Sequence, residues 1–129
     1  MVINIYGWVL SMDKGYVSFT IYGEPASKAN SRKLVKFGNR PGFIKSDKAR
    51  AYLKDFKLQV PTLDDLMEGE LKVTITIWYA SRRPDLDESV ILDAMEGHIY
   101  KNDRQVREKH IYWGLDPLNP RADITVDFK

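Results

Sequence analysis

Along residues 71–79, LKVTITIWY, apolar and polar side chains alternate without a break, with Leu71, Val73, Ile75, Ile77 and Tyr79 on one side. A period of two marks a half-buried strand, and this is the clearest one in the chain. Residues 16–22, YVSFTIY, repeat the pattern with Val17, Phe19 and Ile21; residues 105–113 and 123–128 predict two more strands, the last carrying Ile124, Val126 and Phe128. The period becomes helical over residues 46–58, where Ala49, Tyr52, Leu53 and Phe56 form one stripe, Ser46 offers an N-cap and Pro61 a stop. A shorter helix is predicted over residues 88–96, with Val90, Ile91, Ala94 and Met95 on one side and Gly97 as its C′ residue. Residues 23–45 are broken by Gly23, Pro25, Gly38, Pro41 and Gly42 and predict a loop region with room for a short hairpin. Asp13-Lys14-Gly15 reads as a turn back to Trp8-Val9-Leu10, so residues 1–15 are either an extension or a first strand ahead of a domain over residues 16–129. The order of elements predicts a single α+β domain with a mixed β-sheet and two main helices.

Composition narrows the chemistry. A chain of 129 residues supports one core. It has no cysteine, which excludes disulfides, thiolate metal sites and a cysteine nucleophile, and it fits a reducing cytosol. With His98 and His110 its only histidines, a histidine-rich zinc centre is not expected. No apolar run reaches the roughly 20 residues of a membrane span, and the opening MVINIYGWVLS has no basic leader, so neither a membrane partner nor a signal peptide is expected.

The net charge of +2 conceals a segregation. Residues 28–57 hold ten Lys and Arg against Asp47 and Asp55, a surplus of eight positive charges, and the remainder of the chain is negative by six. Lys28, Arg32, Lys33 and Lys36 open this basic block, which reads either as a polyanion-binding face or as a solvated lysine-rich helix and loop.

The chemically informative stretch is residues 82–106, RRPDLDESVILDAMEGHIYKNDRQV. Asp85 and Asp87 follow the strongest strand, and in extended backbone positions two apart point to the same side. Two such carboxylates repel unless a cation or proton lies between them. Asp103 comes sixteen residues after Asp87, past one helix and a turn, a spacing that suits a return to the same edge of the sheet. Three convergent carboxylates make a hard, all-oxygen site that favours Mg²⁺ or Mn²⁺. Such an ion beside a basic surface suggests phosphodiester hydrolysis. Taken singly, Asp87 also reads as a helix N-cap, Asp103 as a turn residue, and Arg82 and Arg83 as solvated charges rather than phosphate ligands. His98 and His110 read as packing or surface residues, and Trp78, Tyr79 and Trp113 as core or subunit contact.

Read as a whole, RPDLDESVILDAMEGHIYKNDRQV resembles the signature of the RusA-type Holliday-junction resolvases. Asp85 and Asp87 match that family's first acidic pair, Asp93-Ala94-Met95 its helix element, and Tyr100-Lys101-Asn102-Asp103 with Gln105-Val106 its turn. Tyr22-Gly23-Glu24-Pro25 with Lys28-Ala29-Asn30-Ser31-Arg32, and the closing PRADITVDF, are similar to its flanks, so the likeness runs over residues 17–128. The resemblance implies a cytoplasmic, bacterial or phage-encoded endodeoxyribonuclease. It would cut four-way junctions or other branched DNA as a homodimer, whose two related sites would make the paired cuts. It also implies Asp85, Asp87 and Asp103 as catalytic Mg²⁺ ligands. Lys28, Arg32, Lys33, Lys36, Arg82, Arg83 and Lys101 are the expected DNA contacts. Two departures stand out: where the family has Asn and then Lys after the second Asp, this chain has Glu88 and Ile91, and the interval to Asp-Ala-Met is two residues shorter. Lys101, Lys28 or Arg83 would then supply the missing cation, and Glu88 is either a fourth carboxylate or a charge suited to a helix N-terminus. The competing readings are a non-catalytic branched-DNA-binding protein derived from such a nuclease, and an unrelated α+β interaction domain.

Overall fold

Leu71–Tyr79 forms the strand around which the sheet is built, its five inward side chains fully buried and the four between them half-buried. The structure is a computed structural model that describes residues 2–3, 9–11, 15–26 and 32–129, and for residues 2–3, 9–11 and 32 the backbone alone. In chain order its elements are β1 (Val2–Ile3), β2 (Val9–Ser11), β3 (Tyr16–Tyr22), β4 (Arg32–Phe37), β5 (Arg40–Lys45), α1 (Asp47–Gln59), β6 (Leu71–Tyr79), α2 (Ser89–Met95), β7 (Val106–Leu115) and β8 (Arg121–Phe128). Six strands form the main sheet in the order β1-β2-β3-β8-β6-β7, and β4 and β5 form a separate two-stranded ribbon. Among the described strands β6 and β7 pair in parallel and the other pairings are antiparallel, so the sheet is mixed and the single domain is α+β, with two α-helices among the described residues.

The predicted elements are present with shifted ends. Ser46 caps α1, its Oγ accepting from the Ala49 N–H at 3.1 Å, and Ala49, Tyr52 and Phe56 are buried with Leu53 partly so. Helix α2 is one residue shorter at each end than predicted, and Gly97 beyond it has φ +82°. Strands β7 and β8 extend past the apolar alternation because β6 still offers hydrogen-bonding partners there, Trp78 pairing with Gly114 and with Arg121. The hairpin in the loop region is the β4–β5 ribbon, turned at Gly38 (φ +64°) and Asn39. The turn residues Asp13 and Lys14, like Trp8 and Lys28, lie outside the described residues. No helix among the described residues is long and apolar enough to cross a membrane.

Phe19 of β3 meets Phe56 of α1 edge to face at 6.4 Å, placing α1 on the sheet face that carries the apolar residues of β3, β6 and β8. The opposite face is polar: Thr20 donates to Asp123 Oδ1 at 2.8 Å, Trp78 Nε1 donates to Asp123 Oδ2 at 3.0 Å, and the Arg121 guanidinium lies 4.8 Å over the Trp78 ring. Since β3 and β6 are both antiparallel to β8, they run in the same direction and leave the sheet at the same end. That end receives residues from three separate stretches of chain.

Candidate active site

The chain leaves β6 at Ala80, whose N–H donates to Glu24 Oε2 at 2.8 Å, joining the segment after β6 to the segment after β3. It then folds back over the fully buried Tyr79. The Tyr79 hydroxyl donates to the Asp85 carbonyl at 3.0 Å and accepts from the Asp87 N–H at 3.2 Å, while its ring stacks on Trp113 at 6.3 Å. Burial raises the hydroxyl's pKa; the Asp87 backbone hydrogen bond opposes this, and the charges of Asp87, Glu24 and Glu88 add to it, so it stays a phenol able to donate. Tyr79→Phe should leave the Asp87 N–H without its acceptor. The expected cost is about 1–3 kcal/mol in urea melts, together with slower catalysis from a loosened Asp85–Asp87 segment. Wild-type stability in that variant would show that the hydroxyl does not hold the segment.

Asp87 is 7% exposed, the one buried charged residue among those described. Its Oδ1 accepts from the Ser89 N–H at 3.0 Å, a local bond just ahead of the helix whose N-cap position is Glu88 and not Asp87, and its Oδ2 is buried with no partner among the described residues. That local bond does not require the second oxygen to be buried and bare, and such an atom is costly unless a cation or proton completes it. Asp85 is exposed, and Glu88 is paired with Lys109 Nζ at 2.6 Å. Thus Asp85, Asp87, Glu88 and Glu24 gather around Tyr79 before the N-terminal end of α2.

Asp103 belongs to a second acidic group at the other end of that helix. It opens a 3-10 turn, Asp103–Gln105, in which Asn102 accepts from the Arg104 N–H at 2.8 Å and Gln105 reaches back to the Asn102 N–H at 3.1 Å. The Asp103 N–H donates to Glu96 Oε1 at 2.9 Å. Tyr100 lies beneath, its hydroxyl bonded to the Leu92 carbonyl at 2.6 Å and its pKa raised by burial first, then by Asp103, Glu96 and Asp93. The expected return to the same sheet edge differs here for a topological reason. The parallel register sets Val106 beside Leu71 and Leu115 beside Tyr79, so Asp103 enters β7 at the end opposite the one where β6 leaves. Among the described residues, no three carboxylate or imidazole groups are gathered closely enough to share one ion.

The two groups share a border. Lys109, which pairs with Glu88, lines a cleft of about 340 Å³ together with Leu92, Asp103, Val106, Arg107 and Glu108. The three motif aspartates also differ from their acidic neighbours. Glu88, Asp93 and Glu24 are engaged by Lys109, Lys45 and Lys48, and Glu96 by a backbone N–H. The carboxylates of Asp85 and Asp103 and the second oxygen of Asp87 have no hydrogen-bond or ion-pair partner among the described residues. That leaves free the oxygens a hard divalent ion would take.

The family model of endodeoxyribonuclease RusA matches residues 23–127. The chain belongs to the RusA endodeoxyribonuclease family. A comparison with curated proteins finds no match. Membership makes the chain a nuclease of the Holliday-junction-resolving kind, with branched DNA as its partner. The matched range takes in both acidic groups, both helices and the β4–β5 ribbon.

Within the RusA frame, Ile91, at the position of the family lysine, is fully buried and part of the core. Lys109 is the cation beside Glu88, and it went unnoticed in the sequence. Its signal is a charge in the inward phase of β7, on the face it shares with Ile111, Trp113 and Leu115. Glu24 was also missed as a neighbour of Tyr79, because only the β3-β8-β6 strand order brings it there. Of the expected DNA contacts, Lys33, Lys36, Arg82 and Arg83 are exposed. Lys101 lines a cleft with Asp64, Asp65 and Glu68, which offset its charge locally. The Arg32 side chain and the whole of Lys28 lie outside the described residues. His98 bonds to Thr62 Oγ1 at 2.8 Å and His110 to Glu108 at 2.8 Å, roles in packing and on the surface.

Proposed function

We propose that this RusA-family chain resolves four-way junctions and other branched DNA by Mg²⁺-dependent hydrolysis, with Mn²⁺ as a substitute, and that Asp85, Asp87 and Asp103 are the metal ligands. The observation that carries this reading is the buried, unpartnered Oδ2 of Asp87, next to an exposed and unengaged Asp85. Asp103 enters the ligand set from its motif position and its free carboxylate alone; it stands at the far end of α2, so a shared ion requires the two acidic groups to draw together across the Lys109 cleft. When bound, the ion would activate water and offset charge building at the scissile phosphate. The protein's own residues then have separate tasks. Tyr79 fixes the backbone of Asp85 and Asp87, and Lys109 neutralises Glu88 so that the carboxylates beside it repel one another less. Lys28, Arg32, Lys33, Lys36, Arg82, Arg83 and Lys101 hold phosphates along the DNA arms, so affinity falls steeply with salt. In this reading the enzyme is a homodimer, and the edge strand β7, with Tyr112 and Trp113 exposed, supports the contact.

Incubation of purified protein with a labelled four-way junction and a matched linear duplex tests the reading. Paired cuts near the branch are expected in Mg²⁺, none in chelator, and little cutting of the duplex. Cleavage that persists in chelator would remove the metal role. Junction binding without cleavage in either Mg²⁺ or Mn²⁺, at any enzyme concentration, would favour the non-catalytic alternative.

A further inference from the structure

The β4–β5 ribbon has a composition that phosphate binding alone does not explain. Residues 32–45 contain five Lys or Arg and no acid, yet Leu34, Phe37 and Phe43 are 64%, 60% and 69% exposed. Leu34 lies directly across from Phe43 in the register, and the pleat puts Lys36, Pro41 and Lys45 on the same face as that pair. The opposite face carries the half-buried Val35, Gly42 and Ile44, so the ribbon has an inner side and an outer one. Ion pairs at its open end, Lys33 to Asp47 at 3.5 Å and Lys45 to Asp93 at 2.9 Å, root it between the start of α1 and the middle of α2. Lys48, in the first turn of α1, lies 3.9 Å from Glu24, so the root is next to the Tyr79 acidic group.

An exposed apolar pair framed by cations suits a polyanion that also presents apolar faces. Intact duplex supplies the phosphates but keeps its base faces inside the stack. A branch point, where base pairs open, supplies both. We propose that Leu34 and Phe43 form a wedge that packs on unstacked bases at the branch point while Lys36, on the same face, holds an adjoining phosphate. This rests on the reading above that branched DNA is the substrate. The wedge explains how a small domain tells a branch from a straight arm: cations bind both alike, and only the branch gives Phe43 a base to stack on. At roughly 3.3 Å per residue, the six-residue strands give a ribbon about 20 Å long, and a two-stranded ribbon is narrow enough to enter a groove.

The test is equilibrium binding of the full chain, in chelator, to a fluorescent four-way junction and to linear duplex of the same arm sequence. Phe43→Ala should lose about tenfold in junction affinity with duplex affinity unchanged, and Phe43→Trp should keep the preference. Lys36→Ala should instead weaken both DNAs and reduce the salt slope by about one. Because Phe43 is exposed, thermal melts of these variants should match wild type. Equal proportional loss on the two DNAs, or no loss on either, would overturn the wedge and leave the substrate reading standing. A wild-type protein with no preference for the junction would overturn both.

Discussion

Replacing Asp87 with Asn is expected to reduce junction cleavage by about two to three orders of magnitude while junction binding and the folded state survive. The expectations for folding and for cleavage rest on its two carboxylate oxygens. Oδ1 accepts from the Ser89 N–H, a bond an amide oxygen can also make, so the turn that leads into α2 is kept. Oδ2 is buried without a partner among the described residues, so removing its charge in the absence of metal should leave the melting temperature at or above wild type. In the proposed metal role, catalysis depends on that same oxygen. A second readout does not depend on turnover: an ion that binds only the native state raises its stability by about 2.7 kcal/mol at a hundred times its Kd. Added Mg²⁺ should therefore raise the wild-type melting temperature and leave that of Asp87→Asn in place. Equal stabilisation of both proteins, or wild-type cleavage by the variant, would remove Asp87 from the metal site.

How far the sequence reached was decided by whether each feature is local. Strand β6 and helix α1 were legible because each buries one face, and burial writes a period of two or 3.6 into the chain. The β4–β5 ribbon left no such trace. With Leu34 and Phe43 exposed outside and only Val35, Gly42 and Ile44 half-buried inside, its pattern looks like loop. Asp85 and Asp87 could be placed at a strand end because both the strand and the pair lie in one stretch of sequence. The position of Asp103 turned on the direction of β7, and alternation reads the same in a parallel or an antiparallel strand. Had β7 been antiparallel to β6, Asp103 would enter it beside Asp85; the parallel register puts α2 between them. Glu24 and Lys109 reach the Tyr79 group through sheet order and cross-strand register, which no window of sequence contains.

Two neighbours on α1 should respond in opposite senses to truncation of their side chains. Phe56 is fully buried, edge-on to Phe19 at 6.4 Å and tilted against Tyr52 at 6.0 Å. Phe56→Ala removes the ring that docks α1 on the sheet and should cost about 3–5 kcal/mol, a large part of the roughly 5–15 kcal/mol that holds a domain together. In urea the midpoint should fall with the slope unchanged, as for a loss of packing within one cooperative unit. Tyr52 is 5% exposed, and its hydroxyl is buried with no hydrogen-bond partner among the described residues, which drives its pKa up. Tyr52→Phe keeps the ring and discards the bare oxygen, so stability should hold or rise. The comparison separates apolar docking from incidental polarity, because both side chains lie on one buried stripe and differ in what their tips require. If Phe56→Ala were as stable as Tyr52→Phe, α1 would not be held by that stripe. Its start, where Asp47 and Lys48 meet the ribbon and Glu24, would then have to be held by its ion pairs, although pairs this exposed contribute little.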